Sequence, residues 1–386
     1  MRGVRQLIAL LQMSLGSFEG RAGPSLVTLV GTACVVGVLI SMLSMGVGAR
    51  RMAVSGTSPY QAIVEPDAQR VGGTISKQDA AIIENEPGIR RGPDGKPMAS
   101  GIFVVFVEAH KKSDNSRVAA WLAGVQPGNF RAHPDFRLTA GRMFRTGMHE
   151  LIAGKTRYTE DRSMAIGDRV WVRGDEWTVV GHFEAYPVTE AGLFTDADTL
   201  MSAARSSTFS RILVTVDSAG GFARLQQALK ANPGLHIELK HQAESNLDDM
   251  KPITRLLDFV SYFVGAVMAA GATIGAVNAL YVLVDQRRRE MATLRAIGFG
   301  GGPIVLAVLI ESMLMALPGA VLGAIAAWAL FNGHHISPVG ISFDLAVTPG
   351  LVGIGILWAL VMGLLGGLMP ALRAARVPVT DALRAA

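Results

Sequence analysis

"FVSYFVGAVMAAGATIGAVNALYVLV", residues Phe259 to Val284, is the stretch that decides the fold, because it runs its whole length without a charge. A helix needs about 20 apolar residues to cross the hydrocarbon core of a bilayer, and this run suffices. The next stretch, "DQRRREMATLRAIGFGG", Asp285 to Gly301, is its opposite. Its first eleven residues hold six charges: Asp285, Arg287, Arg288, Arg289, Glu290 and Arg295. Three more runs have membrane length. Ala22 to Ala49 and Leu345 to Leu372 are uncharged, and Pro303 to Phe331 is interrupted only by Glu311. The first run is too long for a cleaved leader, and Arg50-Arg51 follows it as a stop, so it reads as an uncleaved anchor.

The composition agrees with this reading. At 386 residues the chain is 50% hydrophobic and 17% charged, more apolar than a typical soluble protein of this length. A net charge of +5 does not point to nucleic acid here, because membrane proteins concentrate Lys and Arg in cytoplasmic loops. Ten arginines fall in the N-terminal tail, the segment after Val284 and the C-terminal tail, against four basic residues next to the membrane on the other side. That imbalance places both termini and the charged segment in the cytoplasm and the long segment between the first two spans outside it. Cys34 is the single cysteine, so no intrachain disulfide forms.

The fold class expected is a membrane domain of four transmembrane helices plus an extracytoplasmic mixed α/β domain inserted between helices one and two. The chain divides into an amphipathic cytoplasmic helix at 1–21, spans at 22–49, 257–284, 303–331 and 348–371, and an outer domain at 50–256. A coupling segment at 285–302, an external loop at 332–347 and a cytoplasmic tail at 372–386 complete it. In the first segment Leu7, Leu10, Leu11 and Leu15 have helical spacing, which suits a helix lying on the inner membrane face or a frayed tail. In the outer domain "ISKQDAAIIENEPGIRR" reads as a helix capped by Ser76, with Asp79 placed for a capping box. "SGIFVVFVEAH" reads as a strand, and "DRVWVRGDEWTVVGHFE" as two strands around a tight turn at Arg173 to Glu176. "FSRILVTVDS", "AGGFARLQQALKANPG" and "LHIELKHQ" form a strand–helix–strand unit. Small βαβ-like units with an inserted β-rich part follow.

No catalytic pattern stands out. "AGKT", Ala153 to Thr156, ends like a phosphate-binding loop, but the position where that loop needs its first glycine is His149. There is no HExxH and no second cysteine for a familiar zinc site, so no metal is expected, and no GxSxG elbow marks a hydrolase. Two polar residues lie within spans. Glu311, roughly 12 Å along its helix from Pro303 at 1.5 Å per residue, is expected to pair structurally near the cytoplasmic side, with an arginine of the basic segment as its partner. An ion-coupled transporter would need further ionisable groups and inverted repeats, and neither is seen. Asn278 reads as a helix–helix hydrogen bond. Gly265, Ala269, Gly271 and Gly275 permit close helix approach, either inside this chain or to a second one.

The charged segment reads as a helix starting near Gln286. Met291, Leu294 and Ile297 lie along one stripe, and Gly298 stops it before Gly300-Gly301-Gly302-Pro303 turns the chain back. Topology alone needs the arginines but not the stripe or the stop, so the pattern also suits a docking surface.

"RRREMATLRAIGFGGGPIVLAVLIESMLMALPGAVLGAIAAW" resembles the permease core of MacB/FtsX-type ABC transporters. That family carries an arginine-rich segment, then E-x-x-x-L-R-A-I-G, then a helix with Glu-Ser and a glycine-rich turn. Here these are Glu290, Leu294, Arg295, Ala296, Ile297, Gly298, Glu311, Ser312, Gly319 and Gly323. "PALRAARVPVTDALRA" resembles the family's ending, and "LAGVQPGNF", "LTAGRMF", "LIAGKT" and "IGDRVWVRGDEWTVVGHFEA" resemble its periplasmic core domain. The resemblance implies a dimeric permease, with a second permease chain as homo- or heterodimer partner. It implies that Arg287, Arg288, Arg289, Glu290, Met291, Leu294, Arg295, Ile297 and Gly298 contact a separate cytoplasmic ATPase in two copies. No cofactor is expected in this chain, ATP and Mg2+ belonging to the partner, since no Walker motif is present. It further implies that ATP-driven movements reach the outer domain through the helices, to drive export or extraction of a lipid, lipoprotein, peptide or drug-like substrate. A membrane-fusion adaptor is a further partner the family allows. The rival reading within the same family is an FtsX-like signalling complex that activates an extracytoplasmic cell-wall hydrolase.

Overall fold

The computed structural model describes residues 22–67, 73–110, 117–133, 135–155, 164–185, 192–286, 292–293, 295–296, 300–336 and 343–375. The chain divides into two compact units: 1–48, 252–334 and 344–386 in one, 49–251 and 335–343 in the other.

The first unit is built from four long helices, α1 (Ala22–Val54), α6 (Gln242–Gln286), α7 (Gly301–Phe331) and α8 (Pro349–Ala375), the end of α1 from Ala49 and the start of α6 up to Lys251 belonging to the second. All four are long and apolar enough to cross a membrane. Their inner faces pack as Val36, Leu39, Ile40 and Leu43 of α1 against Ala316, Ala320 and Ala324 of α7 and Leu351 and Ala359 of α8. Their outer faces are equally apolar: Phe259, Phe263, Val267 and Ile274 of α6 and Ile325, Trp328 and Leu330 of α7 are exposed. A helix apolar all round suits a solvent that is itself apolar. The α7 helix starts at Gly301, so Pro303 falls in its first turn, where its missing N–H breaks no intrahelical bond.

The second unit is built on one ten-stranded sheet. In chain order its elements are β1 (Gln61–Pro66), β2 (Ile75–Ser76), α2 (Lys77–Glu84), β3 (Ala99–His110), β4 (Arg117–Val125), α3 (Gly128–Ala132), β5 (Arg137–Gly141), β6 (Glu150–Gly154), β7 (Arg169–Val172), β8 (Asp175–Glu184), β9 (Leu193–Asp196), α4 (Ala197–Ala203), β10 (Thr208–Phe209), β11 (Arg211–Thr215), α5 (Gly221–Ala231) and β12 (Ile237–His241). The hairpin strands β13 (His335–Ile336) and β14 (Phe343–Asp344) lie between α7 and α8 in the chain.

The sheet order begins β12-β1-β11-β3, with every neighbour antiparallel. The strands of each strand–helix–strand unit are therefore parallel but separated by one strand: β11 and β12 flank β1, and β1 and β3 flank β11. This is the split βαβ arrangement of a ferredoxin-like domain. It gives the expected βαβ-like units their strand order. Leu225 and Leu229 of α5 and Ala80 and Ile83 of α2 close one face of this sheet over Val64, Ile212, Val214 and Leu239.

The β-rich insertion lies between β3 and β11 and continues the sheet as β4-β9-β6-β8-β5, with β7 paired to β8. It is covered on both faces, which is why β6 is buried throughout. Leu151 and Ala153 pack with Trp177, Val179 and Leu193, while Ile152 packs on the other side with Phe183 and Phe194. The local sequence signals are present in the structure. The Ser76 hydroxyl accepts from the Asp79 N–H and donates to its carboxylate. The β7–β8 turn is tighter than the four residues expected, because Val172 pairs with Asp175 and leaves only Arg173 and Gly174 in the loop, both at positive φ.

Candidate coupling site

Of the segment expected to dock a partner, Arg287, Arg288, Arg289, Glu290, Met291, Leu294, Ile297 and Gly298 lie outside the described residues, as does the expected N-terminal amphipathic helix. Ala292 is buried, and Arg295 is half-buried and partnered. The surroundings of the segment are defined. Val284 near the end of α6, Ile304 and Val308 at the start of α7, and Ala371 and Ala374 at the end of α8 form one apolar cluster. A methyl group added at Gly301 would stand 3.5 Å from the Ala375 Cβ. The Arg373 guanidinium lies 5.3 Å over the Tyr281 ring, a contact of about 0.5–1 kcal/mol at an exposed site. Three helix ends thus converge on the two short stretches of chain that frame the arginine-rich segment.

The intramembrane residues divide into two groups. Gly265 abuts Leu39 of α1, where a Cβ would come within 2.8 Å of Leu39 Cδ1, and Ala269 packs with Val35 and Met362. Gly271 and Gly275 face open space, with nothing within 4 Å of an added Cβ. Asn278 follows them at i+7 and i+3 on the same helix face, is exposed, and makes no side-chain hydrogen bond among the described residues. The hydrogen bond expected of Asn278 is therefore not made within the described part of this chain. Glu311 is half-buried and partnered. Its neighbour Ser312 bridges α7 to α8 by donating to the Gly363 carbonyl at 2.8 Å.

The closest backbone approaches lie elsewhere. A Cβ at Gly319 would stand 2.6 Å from the Leu29 carbonyl oxygen, and one at Gly323 would overlap the Ala33 carbonyl. Glycines four apart on α7 thus seat α1 against it. The sequence signal for this was the G-x-x-x-G spacing of Gly319 and Gly323.

Within the second unit, the first turns of α6 are fastened to the ferredoxin-like sheet by charge. Asp249 accepts from Arg211 of β11 at 2.8 Å. Asp248 accepts from Lys240 of β12 at 3.1 Å. Glu65 of β1 lies 3.7 Å from both Arg211 and Lys240 and takes the Ser245 hydroxyl. Asn246 donates to the Ala53 carbonyl of α1 at 3.0 Å. Burial alone would depress the pKa of Lys240, but Asp248, Glu238 and Glu65 outweigh it and hold that pKa above the ordinary lysine range. Burial likewise opposes the charge of Arg211, and Asp249 and Glu65 outweigh it. Asp248 is held below the carboxylate range, by Lys251 first and then Lys240. The charged forms of Lys240, Arg211 and Asp248 are thus each favoured by the partners they meet here.

Comparison with known proteins completes the picture. Residues 25–232 match the model of the MacB-like periplasmic core domain, and residues 262–379 match that of the FtsX-like permease C-terminal region. The chain is similar to the uncharacterized ABC transporter permease YknZ of Bacillus subtilis (strain 168), with 20% identity over 98% of this chain and 99% of that protein. It is also similar to the pyoverdine export ATP-binding/permease protein PvdT of Pseudomonas syringae pv. syringae (strain B728a), with 21% identity over 92% of this chain but only 56% of that protein. Among solved structures, the periplasmic region of MacB from Actinobacillus actinomycetemcomitans aligns at 12% identity and a TM-score of 0.40, over 51% of this chain and 95% of that one. The chain belongs to the MacB/FtsX-type family of ABC transporter permeases.

Proposed function

We propose that this chain is the membrane subunit that couples ATP hydrolysis by a separate cytoplasmic ATPase, present in two copies, to movement of its extracytoplasmic domain. That movement drives export or extraction of a lipid, lipoprotein, peptide or drug-like substrate. The observation that carries the reading is α6 itself. It is one helix of 45 residues, Gln242–Gln286. Its first turns are tied to three strands of the outer sheet, and its last residue directly precedes Arg287. A push delivered next to Gln286 has a covalent route along α6 to the ion pairs of Asp248 and Asp249, hydrogen-bonded as a helix except at Pro252, which has no N–H to give.

The arginine distribution supports cytoplasmic termini. Gly271, Gly275 and Asn278, unused by the described residues of this chain, support a second permease chain on that face of α6. Arg287, Arg288, Arg289, Glu290, Leu294, Arg295 and Gly298 form the ATPase contact, with Met291 and Ile297 extending its apolar stripe.

The test is to co-express the chain with its ATPase subunit and measure complex formation and ATP hydrolysis in membranes. Wild-type chain retains the ATPase through purification, and the Leu294→Ala/Arg295→Ala variant inserts normally but loses it. A double variant that retains the ATPase at wild-type stoichiometry and turnover overturns the docking assignment.

A further inference from the structure

Among the described residues only two that are not glycine have positive φ: Arg173 at 54° and Arg205 at 51°. The left-handed region is disfavoured for any L residue with a Cβ, and such outliers concentrate where a side chain must be held in one place. Arg173 occupies the first loop position of the β7–β8 hairpin, where Asn, Asp or Gly is the usual choice. Arg205 follows α4 at the position that glycine normally takes. There the Arg205 N–H donates to the Ser202 carbonyl at 3.1 Å and the Ser206 N–H to the Met201 carbonyl at 2.9 Å. Two unrelated turns have each placed an arginine where the backbone prefers a smaller residue.

Both arginines line the same cleft, of about 480 Å³, together with His149, Asp175 and Ser202. That volume lies in the range of small-molecule sites. Neither guanidinium has a hydrogen-bond or ion-pair partner among the described residues. This contrasts with the neighbouring Arg169, which pairs with Glu176 at 3.0 Å. The His149 ring is stacked on buried Trp177 at 4.6 Å between centroids, so its plane is fixed at the rim. The bonds that close α4 take up the Leu200, Met201 and Ser202 carbonyls. Two arginines against the single carboxylate of Asp175 leave the cleft cationic. A guanidinium fork matches the oxygens of a phosphate with two parallel hydrogen bonds.

We infer that this cleft of the outer domain binds a phosphate group, carried by a lipid headgroup or a soluble phosphate ester. Arg173 and Arg205 grip the phosphate, and Asp175 and Ser202 are placed to take a neighbouring hydroxyl or ammonium. The inference does not depend on coupling to an ATPase, and its test needs none.

The full-length chain in detergent micelles is titrated with glycerol 3-phosphate and, separately, with short-chain phosphatidylglycerol, and binding is read by calorimetry. Saturable binding of at least one probe, competed by inorganic phosphate, is expected. Tighter binding of the lipid assigns the cleft to a headgroup, and tighter binding of glycerol 3-phosphate assigns it to a soluble ester. The Arg173→Asn/Arg205→Gly variant, whose new residues suit the left-handed backbone, should bind at least tenfold more weakly while its thermal midpoint holds or rises. Arg169→Gln, on the same hairpin, should bind as wild type. The inference is overturned if neither probe saturates or if the double variant binds within twofold of wild type. It is also overturned if Arg169→Gln weakens binding as much as the double variant, since general surface charge would then explain it.

Discussion

Glu150 shows how a single residue organises the insertion. Its carboxylate takes both Nη1 and Nη2 of Arg142 at 2.6 Å and the Arg145 N–H at 3.0 Å, and little of the side chain reaches solvent. The Arg142 hydrogen bonds, against the opposing effect of burial, hold the Glu150 pKa below the ordinary carboxylate range. A depressed pKa stabilises the fold fully above the unfolded value of about 4.3 and progressively less as pH falls through the folded value. Glu150→Gln should therefore cost about 1–3 kcal/mol at pH 7. Thermal unfolding curves of variant and wild type should converge as the pH is lowered below about 4. A constant gap between them down to pH 3 would remove the ion pair from the account. Residues of this kind were not legible in the sequence. Arg142 and Glu150 meet because β5 and β6 both pair with β8, each with a register shift, and spacing alone does not give that register. The Ser76 cap and the Arg173-Gly174 turn were legible because each is closed within four residues.

Among the elements, the membrane helices could be read directly, since an uncharged run of membrane length has few other fates. Their mutual faces could not. Small residues are spread through all four spans, so composition does not distinguish a face packed in this chain from one turned away. The structure separates them, and the separation can be tested. Gly319→Val and Gly323→Val place a side chain where the α1 backbone passes, and should sharply lower yield and detergent stability. Gly271→Val and Gly275→Val meet open space within this chain and should leave its fold intact, while lowering the cross-linked permease dimer on membranes at least several-fold. Unchanged cross-linking in both would move the proposed dimer contact off this face of α6. The outer sheet has the same division. The strand–helix–strand unit from β11 to β12 was visible as local pattern, but its splitting by β1 depends on a strand roughly 150 residues upstream.

At the scale of the whole molecule, the proposed coupling connects two chemistries that do not mix: an apolar helical unit and a charged attachment to a β-sheet. The α6 helix takes part in both. The ion pairs at its start are shielded on the sheet side, where the Lys240 and Arg211 side chains are 15% and 24% accessible, more than on the helix side, where Asp248 and Asp249 are 29% and 45% accessible, and removing the carboxylates leaves the shielded cations less well compensated. Asp248→Asn/Asp249→Asn should thus weaken the attachment without touching the segment proposed to meet the ATPase. ATP hydrolysis should persist in this variant while substrate movement fails, and a parallel loss of both activities would show that the attachment only supports folding. The most direct test of the account is hydrogen–deuterium exchange on the permease–ATPase complex, with and without ATP, reading the amides of residues 242–251 and of β1, β11 and β12. An ATP-dependent change in exchange is expected there in wild type and none in Leu294→Ala/Arg295→Ala. No ATP-dependent change in wild type, or an equal change in the double variant, would contradict it.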